Sequence, residues 1–390
     1  MTHITQSLTD DAFVQNPYPF YDAARAKGPV LFWNDMNMLA AFDHVTVSAL
    51  LRDRRLGRAP LQPRVGPDHL APFHALEVDS MLELEPPRHK RLRGLVLRAF
   101  TSRRIGQLQP DVQDITTDVL SGLPKDMPFD LIPDFCQPIP VRIIARLLGV
   151  PESLAPELLE WSRDMVAMYQ TGVTLEIEQR AGRAAQAFTD FMHGYIKERR
   201  AKPADDLITE LIKAEQDGER LSTDEMISTC ILLLNAGHEA TVHSLGNAVR
   251  VLIEHDTCPT EQSAQAITEE VLRYEAPLHI FTRFAYEQLD LPGNQVLQRG
   301  DEVALVLGAA NRDPAFFSNP HRFDPSRQMP KHTSFGGGLH FCVGAPLARA
   351  EIQTALPMLF ERFPNLRLHE TPQFANAYHF HKHDSLFVHP

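Results

Sequence analysis

The residues best placed to do chemistry lie between Ser334 and Glu351, where the chain reads S-F-G-G-G-L-H-F-C-V-G-A-P-L-A-R-A-E. Three consecutive glycines, Gly336 to Gly338, permit a tight hairpin with φ > 0. Cys342 follows, then Gly344, then a helix opened by Ala345 and Pro346, proline being favoured in a first helical turn. A cysteine at that point faces unpaired N–H groups and the positive end of the helix dipole. Both favour thiolate over thiol and should lower a pKa of roughly 8.5. A thiolate is the axial ligand that a ferric porphyrin takes. The competing reading is a buried structural cysteine after a hairpin, the usual fate of an isolated cysteine. It would have to account at once for the glycine-rich turn, the polar His340 and the glycine beyond, and is set aside.

A second segment with chemical potential sits in the longest expected helix. Ser222 and Glu225 form the S-x-x-E of a capping box. From there Thr223 to His255 runs without proline, on the order of 50 Å at 1.5 Å per residue. Its middle, Ile231 to Ala240, is apolar on nearly all sides and predicts a core helix. Yet that stretch holds Asn235, Gly237, His238 and Glu239. Glycine costs roughly 1 kcal/mol in a helix interior, and a buried carboxylate costs more unless it is paired. Either the helix surfaces locally, or a distorted turn opens space for a ligand.

The elements around these segments predict one domain that is mainly α with small β-sheets, spanning 1–390. There is no internal repeat, low-complexity tract or long Gly/Ser linker. Many of the 30 prolines cluster in loops such as Ala59 to Pro72 and Asp313 to Pro330. Helical patterns include Ala181 to Arg200 and Asp205 to Gln216. Strand-like runs are fewer: Pro29 to Trp33, Met38 to Phe42, Glu302 to Leu307 and Ser385 to Val388. No strand–helix alternation and no G-x-G-x-x-G signals a dinucleotide fold. The net charge of -12 argues against wholesale nucleic-acid binding. The polar start, Met1 to Asp11, lacks the apolar core of a signal peptide, and no apolar run spans a membrane, so a cytoplasmic location is expected. Cys136, Cys230, Cys258 and Cys342 fit no zinc or disulfide framework.

F-G-G-G-L-H-F-C-V-G matches the haem-binding signature of the cytochromes P450 at every defining position, and the chain resembles that family nearly throughout, from Asn16-Pro-Tyr-Pro-Phe to the C-terminal strands. The resemblance implies the cytochrome P450 fold, with haem b between the long central helix and the cysteine-loop helix and Cys342 as the iron ligand. It implies that Phe335 packs beside the thiolate and that N–H groups after Cys342 reach the sulfur. Gly336 belongs to the cofactor-binding turn, Gly344 lets the chain pass close to the porphyrin, and His340 looks like a propionate partner. Arg283 stands where related bacterial enzymes place another, and His89 and Arg93 fit the family's remaining pair. Glu270-Val-Leu-Arg273 is the family's E-x-x-R, with Arg322 of F-x-x-P-x-R-F as the expected third member of a structural triad.

By the same resemblance the chain looks like a monooxygenase of the bacterial branch, with no membrane anchor and no fused reductase. Electrons would come ultimately from NAD(P)H through a separate ferredoxin. Arg88 to Arg104 holds seven Lys/Arg and no acid. Its outward-facing members read as a docking surface for an acidic donor, although a solvated basic helix accounts for them too. A monomer is expected.

One departure from the family stands out. The long helix usually carries A-G-x-(Glu or Asp)-Thr, and this chain has Ala236-Gly237-His238-Glu239-Ala240-Thr241. Ala240 replaces the proton-delivering alcohol, Glu239 keeps the acid position, and Thr241 stands about 100° further round the helix. Thr241 compensates through a local bulge; or a substrate hydroxyl or ordered water replaces the alcohol; or oxygen activation is impaired. We take the second. The third keeps open a non-oxygenating haem-thiolate protein, an isomerase or dehydratase or a recruitment or sensor protein. Smaller departures are the short stretch from His255 to Gln265 and Pro357, which should kink the helix after the cysteine. Pocket candidates by analogy are Leu232, Asn235 and Ala236, with His279, Ile280 and Phe281, and the loop near Met81 and Leu82. Asn235 and His279 are polar among apolar neighbours, which points either to a substrate with an oxygen or nitrogen to recognise or to local backbone partners.

Overall fold

The structure, a computed structural model, describes residues 2–62, 66–99, 102–170, 172–216, 221–328 and 331–390. Parts of the two proline-rich loops expected above, and the side chains of Arg103 and Arg104 in the basic run, therefore lie outside the described residues.

Helices dominate. Those that matter for the site are α1 (Arg88–Ala99), α2 (Pro138–Leu148), α3 (Ala155–Val166), α4 (Thr223–Glu254), α5 (Ala264–Tyr274) and α6 (Ala345–Arg362). A long helix at Leu175–Ala201 and a short one at Leu207–Gln216 fall where the sequence patterns put them. The capping box of α4 is complete: Ser222 Oγ accepts from Glu225 N at 3.1 Å, and Glu225 Oε2 accepts from Ser222 N at 3.1 Å. Its apolar residues on nearly every side bury it in the main core, which joins α2, α5 and α6.

The larger sheet has six strands: β1 (His3–Ile4), β2 (Val30–Trp33), β3 (Met38–Ala41), β4 (Leu56–Gly57), β5 (Ile280–Ala285) and β6 (Glu302–Val306), in the order β1-β2-β3-β6-β5-β4. The antiparallel pairing of β5 with β6 sets Arg283 opposite Val303 and Phe281 opposite Leu305. A three-stranded sheet gathers Phe129–Asp130, Arg367–Leu368 and Phe387–His389. The strand expected from Glu302 to Leu307 stops at Val306, and Leu307–Ala310 turns into a short helix. Helix α6 continues through Pro357.

Candidate active site

The cysteine turn is built by two glycines that an L side chain would not replace. Gly336 and Gly338 have φ of +69° and +66°. A Cβ on Gly338 would stand 2.5 Å from Leu51 O, and one on Gly336 would stand 3.2 Å from the Phe281 ring. Phe335 O accepts from Cys342 N at 2.9 Å and closes the turn. Phe335 itself lies under Arg349, 4.4 Å from guanidinium to ring centroid. Cys342 is exposed to the open centre of the fold. Burial by the surrounding protein pushes its thiol up, while the N–H groups of Gly344 and Ala345 and the cations Arg93 and Arg349 pull it down. The net direction is upward, against the sequence expectation. The expected helix-end N–H groups are in place, but desolvation outweighs them until a cation binds the sulfur. Cys136 and Cys230 are buried thiols pushed up by desolvation, Cys230 to about 12, as suits inert packing residues.

Above the turn, α1, β5 and the loop before α1 converge. His89 is 1% exposed, and neither ring nitrogen has a hydrogen-bond partner among the described residues. Burial, helped by His340 and Arg93, holds it down at about 4. Its ring lies 4.4 Å from that of His340. Arg283 is 3% exposed and donates to Thr282 O, one residue away. Burial, with repulsion from Arg58, lowers it to about 10. Arg93 donates to Phe341 O at 2.5 Å. This cluster of cation donors and unpaired imidazole nitrogens calls for anions. One is supplied by a residue that the sequence reading missed: Glu85 accepts from His340 Nε2 at 2.9 Å and from Arg58 N at 2.7 Å. Glu85 stands four residues before His89, but nothing in its spacing marked it.

The opposite wall is α4. The helix is unbroken from Thr223 to Glu254, so the local bulge expected as one route for Thr241 is absent. Gly237 serves packing instead: its Cβ would stand 3.0 Å from Ile144 of α2. Along the middle of the helix Gly237 and Glu239 are half-buried, and so are Leu232 and Ala240, with Ala236 exposed between those two. Spaced i, i+4, i+8, Leu232, Ala236 and Ala240 form one stripe facing the centre of the fold. Thr241 is 4% exposed and lies off that stripe. Glu239 adjoins it, 16% exposed, accepting from His243 Nε2 at 3.0 Å. Burial would raise its pKa, but His243, His238 and Lys382 outweigh that and hold it at about 2.

Several site expectations need correction. His279 is fully buried away from the stripe, hydrogen-bonded to Tyr21 Oη at 2.9 Å, in a polar cluster with Glu275 and His381. Ile280 packs with Tyr21 and Trp33. The N-terminal aromatics claim both, His279 by the Tyr21 hydrogen bond and Ile280 through the apolar cluster it shares with them. Phe281 does reach the cysteine turn, at Gly336. Asn235 turns to α3, where Nδ2 donates to Met165 Sδ at 3.6 Å, and its Oδ1 has no hydrogen-bond partner. Met81 is core and Leu82 half-buried. Arg322 is exposed and gives only its carbonyl to Arg273, at 3.3 Å. The third member of the triad at the Glu270–Arg273 pair is Arg327, whose Nε lies 3.4 Å from Glu270 Oε2. A turn after Pro320 carries Arg322 outward, which a linear motif does not foresee. The basic run also narrows: Arg88 and Arg91 are tied to Glu225 of α4, at 3.0 and 2.6 Å.

The cytochrome P450 family model matches residues 262–380. Cytochrome P450 107B1 of Saccharopolyspora erythraea is 39% identical over 82% of this chain and 76% of its own. The 6-deoxyerythronolide B hydroxylase of the same organism is 35% identical over 93% and 92%. Among solved structures, P450BioI superposes with a TM-score of 0.91 at 31% identity, covering 97% of this chain and 99% of its own. The chain belongs to the cytochrome P450 family. It has that fold, and its relatives make it a P450 monooxygenase of the bacterial type. Haem is the group this family binds, and the residues present fit it: an accessible thiol ringed by N–H donors, and buried donors and imidazole nitrogens short of anions. Among the described residues no helix is long and apolar enough to cross a membrane.

Proposed function

We propose that this P450 inserts one oxygen atom from O2 into a largely apolar organic molecule that carries a hydroxyl, and that this hydroxyl or a water it orders stands in for the missing alcohol at Ala240. The observation that carries the reading is the stripe Leu232–Ala236–Ala240, which faces the centre of the fold without a hydroxyl while Thr241 is buried beside it. A proton needed for the oxygen chemistry that haem would supply would then come along groups the protein does not supply on that face.

In this reading Cys342 holds the iron, and His89, Arg93, Arg283 and His340 hold the two haem propionates. Bound haem supplies the centre at which dioxygen is reductively activated. The chain's own groups do the rest. Gly344 and Ala345 N–H steady the sulfur, the apolar stripe orients substrate and excludes bulk water, and Glu239, a carboxylate at rest, takes up a proton only to pass it on. Electrons come from NAD(P)H through a ferredoxin. It docks on the face of α1 that carries the exposed Lys90 and Arg98, with Arg88 and Arg91 withdrawn into the ion pairs with Glu225. The single haem domain, 1–390, works as a monomer in the cytoplasm.

The test is a spin-state titration of the ferric protein against a compound library that includes 6-deoxyerythronolide B, cyclomarin C, epothilone D and testosterone, compounds named for relatives or structural neighbours of this chain. Hits that share a hydroxyl, and lose turnover but not binding when it is methylated, are expected. Hits whose product formation is indifferent to the hydroxyl overturn the substrate-assisted reading.

A further inference from the structure

Glu239 is not held as a buried carboxylate usually is. Its hydrogen-bond donor is His243 Nε2, one helical turn on at 3.0 Å. His238 Nε2 stands 3.6 Å from the other carboxylate oxygen. His238 Nδ1 donates to Leu234 O at 2.6 Å, so in the neutral ring Nε2 carries no proton. His243 is different. It is 5% exposed, its Nε2–H is committed to Glu239, and its Nδ1 is buried with no hydrogen-bond partner among the described residues. Its ring rests against Phe380, at 5.6 Å between centroids. Phe380 belongs to the C-terminal loop that also brings Lys382 near Glu239, and the next acid, Asp384, lies 3.6 Å from Lys382 and is exposed. An imidazole with one nitrogen bonded to an acid and the other bare can take a proton on one side and release one on the other.

We propose that His243 is a positioning residue that recharges Glu239 with protons. Nδ1 of His243 accepts a proton arriving from the side of the C-terminal loop, the Nε2–H bond breaks, and its proton passes to Glu239 Oε1. Rotation of the freed ring then turns Nε2 to the loop side, where it takes up the next proton as Nδ1 releases its own, and the neutral Nε2–H ring returns to Glu239. No electrons move, and one proton enters for each that Glu239 delivers. This inference rests on the monooxygenase reading, since Glu239 has a use for protons only if oxygen is reduced at this site. It names the route that supplies them when Ala240 offers no alcohol.

The experiment uses the haem-loaded full chain and needs no substrate. First, imidazole 15N spectra of the diamagnetic ferrous carbon-monoxide form are recorded for wild type and Glu239→Gln. The Nε2–H tautomer of His243 is expected, with its signal displaced in the variant; an Nδ1–H tautomer overturns the proposal. Second, ferrous protein is mixed with oxygen and reduced surrogate ferredoxin, and the return of the ferric spectrum is timed in H2O and D2O. His243→Gln keeps an N–H for Glu239 but cannot relay. It is expected to slow the return about a hundredfold, the low end for a positioned proton donor, and to enlarge the solvent isotope effect. An intact thiolate–carbon-monoxide spectrum shows that the variant is folded. Wild-type speed in His243→Gln overturns the relay, because hydrogen bonding alone then suffices. A wild type that fails to consume oxygen sinks the monooxygenase reading instead.

Discussion

Two packed helices each bury a glutamate, and the two are held in opposite ways. Glu270 on α5 is fully enclosed and saturated: Arg273 donates to it twice, at 2.7 and 2.8 Å, Asp324 N donates at 2.8 Å, and Arg327 stands at 3.4 Å. Arg273 spends its remaining donors on the carbonyls of Asn311, Pro320 and Arg322. Glu239 on α4 has histidines where Glu270 has arginines. Arginine keeps its proton at any working pH, so the α5 pair can only pin the loop that leads to the cysteine turn. Imidazole can carry its proton on either ring nitrogen and hand it on, so the α4 pair can change state. One acid is a fastener and the other is a switch, and the partner decides which.

Removing the fastener should have the largest effect. Arg273→Ala leaves Glu270 buried without its main partner, at a cost of about 3–5 kcal/mol. We expect little folded, haem-loaded protein, measured by denaturant unfolding and haem content. A stable, loaded variant would break the comparison. Glu239→Gln should leave the unfolding midpoint within about 1 kcal/mol, the isosteric amide still accepting from His243, while turnover falls about a hundredfold. Equal losses of stability and turnover would make Glu239 a fastener too. Ala240→Thr should leave coupled product formation unchanged or lower it, by crowding the hydroxyl or water that the stripe admits. A rise, read as product formed against NADH consumed, would show that the alcohol was simply missing.

A smaller effect is expected at the entrance of α4. Burial alone would raise Glu225, but Arg91, the Ser222 N–H and Arg88 hold it at about 2. Its folded value lies below the ordinary carboxylate range, so its contribution is present above about pH 4.3 and lost as pH falls towards 2. Arg91→Ala should cost about 1 kcal/mol at neutral pH, and the difference from wild type should vanish in acid. A difference that persists at pH 2 would mean that Arg91 acts by packing.

Local chemistry was legible in the sequence wherever one segment holds all the parts. The glycine turn, Cys342 and the helix that follows need no distant partner to be read, nor do the capping box of α4 or the E-x-x-R spacing. The site residues drawn from distant segments were legible only as a set of types. Arg322 illustrates the limit: the motif spacing is right, but a turn after Pro320 exposes it and brings Arg327 inward. His279 illustrates another, since its place just before β5 matched the pocket while the N-terminal Tyr21 claimed its ring.

The sequence by itself determined the long capped helix α4, the cysteine turn with the helix after it, and the absence of an alcohol at position 240, because propensity, capping and left-handed glycines act over a few residues. Only the tertiary structure decided that α4 stays regular and hides Thr241, that Glu85 meets His340, and that His243 rather than an arginine holds Glu239. Those outcomes depend on which surfaces are removed from water together, and desolvation is a property of the packed whole.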